Sequence, residues 1–201
     1  MKINNSPPKN PKDKAKLFTI ENEYINKLKS IDSRVQNNYK GQRLYYKSDL
    51  EVGEGINYYV PLSSAKESQK KITNKSVFKL YGDKAQEDFL GVLHINNLIP
   101  VPDQYAKIWS PLAKTDERYL TLVIKQARYI KAHEEEINKD CKLMVDSNMG
   151  TLDPVYFSKN RKDIMTYKRI TSDLTKLEQV SKAERNTSDS VRHRSNDIEI
   201  N

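Results

Sequence analysis

The segment Pro61-Leu62-Ser63-Ser64-Ala65-Lys66 sets two hydroxyls and an amine side by side, directly after an apolar run. The end of a strand on a rigid scaffold is where proteins present reactive groups. Cutting RNA without a metal has three requirements. The 2′-hydroxyl must lose its proton, the charge growing on the phosphorane must be held, and the 5′-oxygen must be protonated as it leaves. Ser63 and Ser64 can donate hydrogen bonds to phosphate oxygens. Lys66 can hold the negative charge, or exchange a proton where neighbouring cations lower its pKa. Arg43, with a planar fork of donors that fits a phosphate, and the phenols of Tyr24 and Tyr39 would complete such a site. Each choice has a plainer alternative. Ser-Ser-x-Lys after a strand also describes a solvated loop. Lys70, Lys71 and Lys75 form either a phosphate track or a solubilising face. Tyr24 on an amphipathic helix suits a core, and His94 in a strand suits a structural role.

Other chemistries find no support. His94, His133 and His193 lie far apart, and there is no CxxC, no HExxH and no paired acidic cluster at a strand end, so no metal site and no cofactor are expected. P-loop and GxGxxG patterns are absent as well. The 201 residues suffice for one domain with a core. The formal charge of +8 and pI near 9.3 favour anionic partners, nucleic acid first. No apolar run approaches the roughly 20 residues that span a bilayer, so no membrane partner is expected. The N-terminus has no apolar stretch, so no secretory signal is expected either. The single Cys141 cannot form an internal disulfide, which fits a reducing cytoplasm.

The elements that must position these residues follow from periodicity. Residues 1–15 are rich in Pro, Asn and Lys and read as a disordered basic arm. Leu17 to Ile20 is a strand, and Asn22 caps a helix carrying Tyr24, Ile25, Leu28, Ile31 and Val35 on one face. Gln36 to Gln42 is a loop. Arg43–Val52 and Asn57–Leu62 form a hairpin around Gly53 and Gly55. Ser64 to Asn74 is polar and expected on the surface. Val77–Tyr81, Phe89–Ile95 and Leu98–Val101 are further strands, with Pro100 and Pro102 restricting the last to an edge. From Asp116 the period becomes helical, through Glu136 or beyond, with a further short helix near Cys141–Asp146. Residues 151–185 read as a polar helical extension, and 186–201 as a disordered tail. Strands first and helices later define an α+β fold, with helices on a strongly twisted antiparallel sheet.

These residues resemble the ToxN/AbiQ toxins of type III toxin–antitoxin and phage abortive-infection systems. The likeness runs through Leu17-Phe18-Thr19-Ile20, Tyr24-Ile25, Ile31-Asp32-Ser33-Arg34-Val35, Tyr58-Tyr59-Val60-Pro61-Leu62-Ser63-Ser64-x-Lys66 and Leu90 to Val101, over roughly residues 16–146. It implies a compact endoribonuclease toxin domain over 16–150, of the small-ribonuclease-toxin type. It implies metal-independent cleavage of RNA to 2′,3′-cyclic phosphate ends, and inhibition by a repeated small RNA folded as a pseudoknot. Toxin and RNA would close into a cyclic assembly, the free toxin being a monomer. By resemblance the family's (Thr/Ser)-Ser-x-Lys element falls on Ser63, Ser64 and Lys66. Its helix tyrosine falls on Tyr24, and a loop tyrosine and following cation on Tyr39 and Arg43, with Lys40 and Lys47 as competitors for the cation. Position 65, often proline in the family, is alanine here. His94 stands where asparagine is common. A non-catalytic RNA-binding protein that blocks translation would explain the charge and the tyrosines equally well. A DNA-binding protein has no helix-turn-helix to support it.

Overall fold

The computed structural model describes residues 14–83 and 85–198, with side chains described through residue 187. Most of the N-terminal arm expected over 1–15 therefore lies outside the described residues. The described chain is α+β: a seven-stranded antiparallel sheet with six α-helices. The strands are β1 (Leu17–Ile20), β2 (Tyr45–Gly53), β3 (Ile56–Ser64), β4 (Phe78–Tyr81), β5 (Phe89–Leu93), β6 (Ile99–Pro102) and β7 (Ala106–Ile108). The helices are α1 (Asn22–Ile31), α2 (Glu67–Lys70), α3 (Glu117–Ala132), α4 (Glu134–Met149), α5 (Pro154–Ile170) and α6 (Leu174–Ile198).

Strand β3 organises the sheet. One of its edges pairs with β2 in the hairpin. The other edge is shared: β6 pairs with Ile56 to Tyr59, and β5 pairs with Leu62 to Ser64. The sheet continues outward in the order β4-β5-β3-β2-β1-β7. β3 is apolar almost without alternation because both of its faces are covered, as in any doubly packed strand. Tyr46, Tyr58, Val60 and Leu62 join a core with Val123, Ala127 and Ile130 of α3 and Ile137, Cys141 and Met144 of α4. Tyr45 and Tyr59 join a second core with Tyr24, Ile25 and Leu28 of α1 and Leu177 of α6. Cys141 is fully buried, and burial pushes its thiol pKa up.

Several expectations need correction. Asn22 is the first residue of α1 rather than its cap; Glu21 precedes it and no side chain caps the helix. The edge strand β7, paired with β1, is absent from the periodicity. It has three residues, two of them exposed, too short for an alternation to register. The segment after Ser64 does not simply cross the surface, since it forms α2 and buries Gln69. The long helix from Asp116 stops at Ala132. His133 leaves the helical region (φ −124°, ψ 20°), its Nδ1 lies 2.8 Å from the Tyr129 carbonyl oxygen, and α4 starts again directly after it. The helical reading of the stretch beyond residue 150 agrees with the structure, which has α5 and α6 there with Ile164, Tyr167, Leu174 and Leu177 buried. α6 continues to Ile198, where the composition suggests an unstructured tail.

Candidate active site

Where β3 runs out, the structure opens a cleft of about 650 Å³. One wall is the end of β3 and the start of α2: Ser63, Ser64, Ala65, Lys66 and Gln69. Gly91 of β5 makes this wall possible. It sits at φ +133°, and a Cβ there would lie 2.1 Å from the Ser63 carbonyl oxygen, so only glycine lets β5 approach Ser63 and Ser64 this closely. The backbone N–H of Lys66 donates to Gln69 Oε1 (2.9 Å), and the backbone N–H of Gln69 donates to the Lys66 carbonyl (2.9 Å). These bonds lock Lys66 to the start of α2.

A second wall is Tyr39, at the start of the turn Tyr39–Gly41, with Gln42, Arg43 and Leu44. Tyr39, Lys40 and Gly41 all adopt positive φ (48°, 58° and 85°). Such a run costs about 1 kcal/mol or more for each non-glycine residue and persists only where its surroundings hold it. Buried Asn38 does the holding. Its carbonyl accepts the N–H groups of Gly41, Gln42 and Arg43, its Nδ2 donates to the Ile20 carbonyl, and its Oδ1 accepts the Tyr45 hydroxyl. Arg43 ties the two walls together. Its Nε donates to the Asn37 carbonyl (2.8 Å) and its Nη1 to the Leu62 carbonyl (3.2 Å). Its guanidinium lies 4.9 Å from the Tyr39 ring centre. Tyr39 itself stays 62% exposed, an aromatic face turned outward beside the cleft.

The electrostatics of the cleft are one-sided. Lys29, Arg34, Arg43 and Lys66 line it, and no carboxylate does. Arg34 is held by Asp32 through Nε and Nη2. His94 lines the same cleft, with Nε2 2.9 Å from Ser63 Oγ. Burial, with Arg43 and then Lys66 adding to it, lowers the His94 pKa to about 4, so the ring is neutral at ordinary pH. Among the described residues no three His, Cys, Asp or Glu side chains gather as they would around a metal ion.

Of the residues singled out in the sequence, Ser63, Ser64, Lys66, Tyr39 and Arg43 meet at this cleft. Tyr24 does not. It is buried under α6, stacked on Tyr105 at 4.5 Å. Its hydroxyl donates to the Pro100 carbonyl (2.9 Å) and lies 2.7 Å from Ser181 Oγ. Burial raises its pKa. Lys40 is exposed on the turn but does not line the cleft. Lys47 lines a separate cavity of about 760 Å³, with Lys14, Lys16 and Lys131, and pairs with Asp103 at 3.5 Å. Lys70 pairs with Glu67 at 2.9 Å and lies over the Phe89 ring. Lys71 is exposed, and Lys75 pairs with Asp140 at 2.6 Å. The sequence does not single out Lys29, Arg34, Gln69, Tyr119 or Gln126 for the cleft. For Gln69 a signal is present: it stands three positions after Lys66, the spacing of a capping box.

The α+β fold that carries this cleft is similar to that of a solved toxin of a bacterial type III toxin–antitoxin system, one described as selectively inhibited by a non-coding RNA pseudoknot. The two superpose with a TM-score of 0.70 at 28% identity, over 85% of this chain and 97% of that one. The lactococcal anti-phage endoribonuclease AbiQ has the same fold, with a TM-score of 0.69 at 22% identity over 85% of this chain and 97% of its own. Residues 16–182 match the model of the ToxN toxin of type III toxin–antitoxin systems, and the chain belongs to that family. The match takes in α5 and part of α6, beyond residue 150. Among curated relatives, the endoribonuclease ToxN of Bacillus thuringiensis subsp. kurstaki is 35% identical over 129 residues, 63% of this chain. That alignment spans 64% of the relative's length. The endoribonuclease AbiQ of Lactococcus lactis subsp. lactis is 31% identical over 128 residues, 61% of this chain and 69% of its own.

Proposed function

We propose that this chain is a metal-independent endoribonuclease toxin whose cleft cuts RNA by attack of a 2′-oxygen on the adjacent phosphorus. The 5′-oxygen leaves, and a 2′,3′-cyclic phosphate remains. One observation carries this: four cationic side chains and three serines, Ser63 and Ser64 among them, line the cleft, and no carboxylate does. Such a lining suits a dianionic phosphorane rather than a carbonyl or a sugar ring. Ser64 and Lys66 hold the non-bridging oxygens, and Ser63 assists. Arg43 braces the Tyr39 turn against β3 and adds positive charge beside the phosphate. The exposed Tyr39 ring offers a surface on which an unstacked base can lie. Lys40 and Lys71, exposed outside the cleft, extend the contact to flanking phosphates. Tyr24 has no part in this chemistry, since its hydroxyl is engaged beneath α6.

Family membership supports the biological setting: a toxin restrained by a repeated small-RNA pseudoknot, acting against phage in the cytoplasm. No helix among the described residues is long and apolar enough to cross a membrane. The test is purified protein with an A-rich RNA in EDTA, alongside growth of cells expressing wild type or Ser64→Ala. Cyclic phosphate ends, and relief of growth arrest by the substitution, are expected. Binding without cleavage, together with arrest that survives Ser64→Ala, would overturn the proposal in favour of an RNA-binding protein that blocks translation.

A further inference from the structure

The Ser63 hydroxyl makes two hydrogen bonds inside the protein, and their polarity decides what it can offer a substrate. The first is fixed by its neighbours. A backbone N–H can only donate, and that of Lys66 meets Gln69 Oε1 at 2.9 Å. The Gln69 amide is therefore oriented, and its Nε2 donates to Ser63 Oγ at 2.8 Å. The second partner is His94 Nε2, at 2.9 Å. This ring is placed by the backbone: the His94 N–H donates to the Pro61 carbonyl at 2.9 Å, and its carbonyl accepts from the Asn97 N–H at 3.0 Å. A hydroxyl has one proton and two lone pairs. If Ser63 gave its proton to His94, it would face an anionic substrate with nothing to donate. If His94 carries its own proton on Nε2, both lone pairs of Ser63 are filled and its proton is free.

We propose that His94 and Gln69 are positioning residues that saturate the acceptor capacity of Ser63, so that its single proton points into the cleft at a phosphate oxygen. The assignment rests on the proposed ribonuclease function and deepens it. It gives the two serines different characters. Ser63 is an oriented donor with one geometry, while exposed Ser64 is free to follow the phosphate as charge develops. It also gives His94 a task that requires no titration. The low pKa of the ring keeps it neutral, with one ring proton, over the whole physiological range. A donor already aimed at the developing charge needs no reorganisation during the reaction.

The test compares wild type, Ser63→Ala, His94→Phe, His94→Gln and the Ser63→Ala/His94→Phe pair on a short RNA. Phenylalanine keeps the ring and removes the donor; glutamine restores an N–H near the Nε2 position. His94→Phe should lower kcat about 10- to 100-fold with little change in KM, less than the roughly 100- to 1,000-fold cost of deleting an oxyanion donor outright. His94→Gln should recover most of that loss. The double variant should be no slower than Ser63→Ala alone, because His94 acts through Ser63. Independently, nitrogen-15 NMR of the wild-type imidazole should place the ring proton on Nε2. A proton on Nδ1, a glutamine variant as slow as phenylalanine, or independent losses that multiply in the pair would each overturn the assignment while wild-type cleavage stands. Wild type that cuts no RNA would overturn the ribonuclease function itself.

Discussion

Replacing His94 with glutamine should make the fold less sensitive to acid. In the folded protein the ring is buried against Ser63, with Arg43 and Lys66 nearby, and its pKa falls from 6.5 to about 4. In the unfolded chain it titrates near its ordinary value. Between pH 6.5 and 4 the unfolded state therefore binds a proton that the folded state refuses. Stability is lost as pH falls through that window, and nothing is lost above it. One pKa unit corresponds to about 1.4 kcal/mol, so moving from pH 7.5 to pH 5 should cost the wild type about 2 kcal/mol through this one group. Glutamine does not titrate, and every other ionisable group is common to the two proteins. Urea unfolding of both at pH 7.5 and pH 5 isolates the contribution. The stability difference should move by about 2 kcal/mol in favour of His94→Gln at the lower pH. Equal pH dependence in the two proteins would refute this reasoning, because it would mean the ring is as free to charge in the cleft as in water.

Three further substitutions probe the surroundings. Tyr24→Phe removes a hydroxyl bonded to the Pro100 carbonyl and Ser181 under α6, and should lower the unfolding free energy by about 1 kcal/mol in urea titration while RNA cleavage persists. A cleavage defect in a stably folded Tyr24→Phe would return Tyr24 to the active site. Gly91→Ala forces a Cβ into the Ser63 carbonyl, so thermal melts should show loss of about 3 kcal/mol or more, or no soluble protein. Lys75→Ala strips the buried Asp140 carboxylate of its ion-pair partner. It should lower thermal stability yet leave the salt dependence of RNA binding unchanged, whereas loss of a true phosphate contact would reduce that slope.

The parts of the fold that are legible in the sequence are those with strong local periodicity. The doubly covered β3 announces itself as an apolar run, and the β2–β3 hairpin by its glycines. β7 does not, because an exposed three-residue edge strand is defined by its partner rather than by its own residues. The break at His133 is equally hidden: Glu134, Glu135 and Glu136 continue a good helical composition, and only the ring's contact with the Tyr129 carbonyl marks the stop. The cleft follows the same division. Ser63, Ser64 and Lys66 adjoin one another in the chain and could be read together. Lys29, Arg34 and His94 reach the cleft from α1, the turn after it and the end of β5, which only the sheet order brings together. Tyr24 shows the converse. The apolar face of α1 predicts burial, and burial beneath α6 is what takes its hydroxyl out of reach of the cleft.

In the proposed reaction the substrate's own 2′-hydroxyl is the nucleophile, and every role assigned to the cleft depends on that. The direct measurement uses an RNA that the protein cuts at one mapped position, and the same RNA with a single 2′-deoxy nucleotide on the 5′ side of that bond, both in excess EDTA. The all-ribose strand should be cut to a 2′,3′-cyclic phosphate, and the substituted strand should bind with similar affinity but remain intact. Cleavage of both strands at the same rate would mean that water is the nucleophile, and the roles of Ser63, Ser64 and Lys66 in holding a 2′,3′-cyclising phosphorane would be wrong.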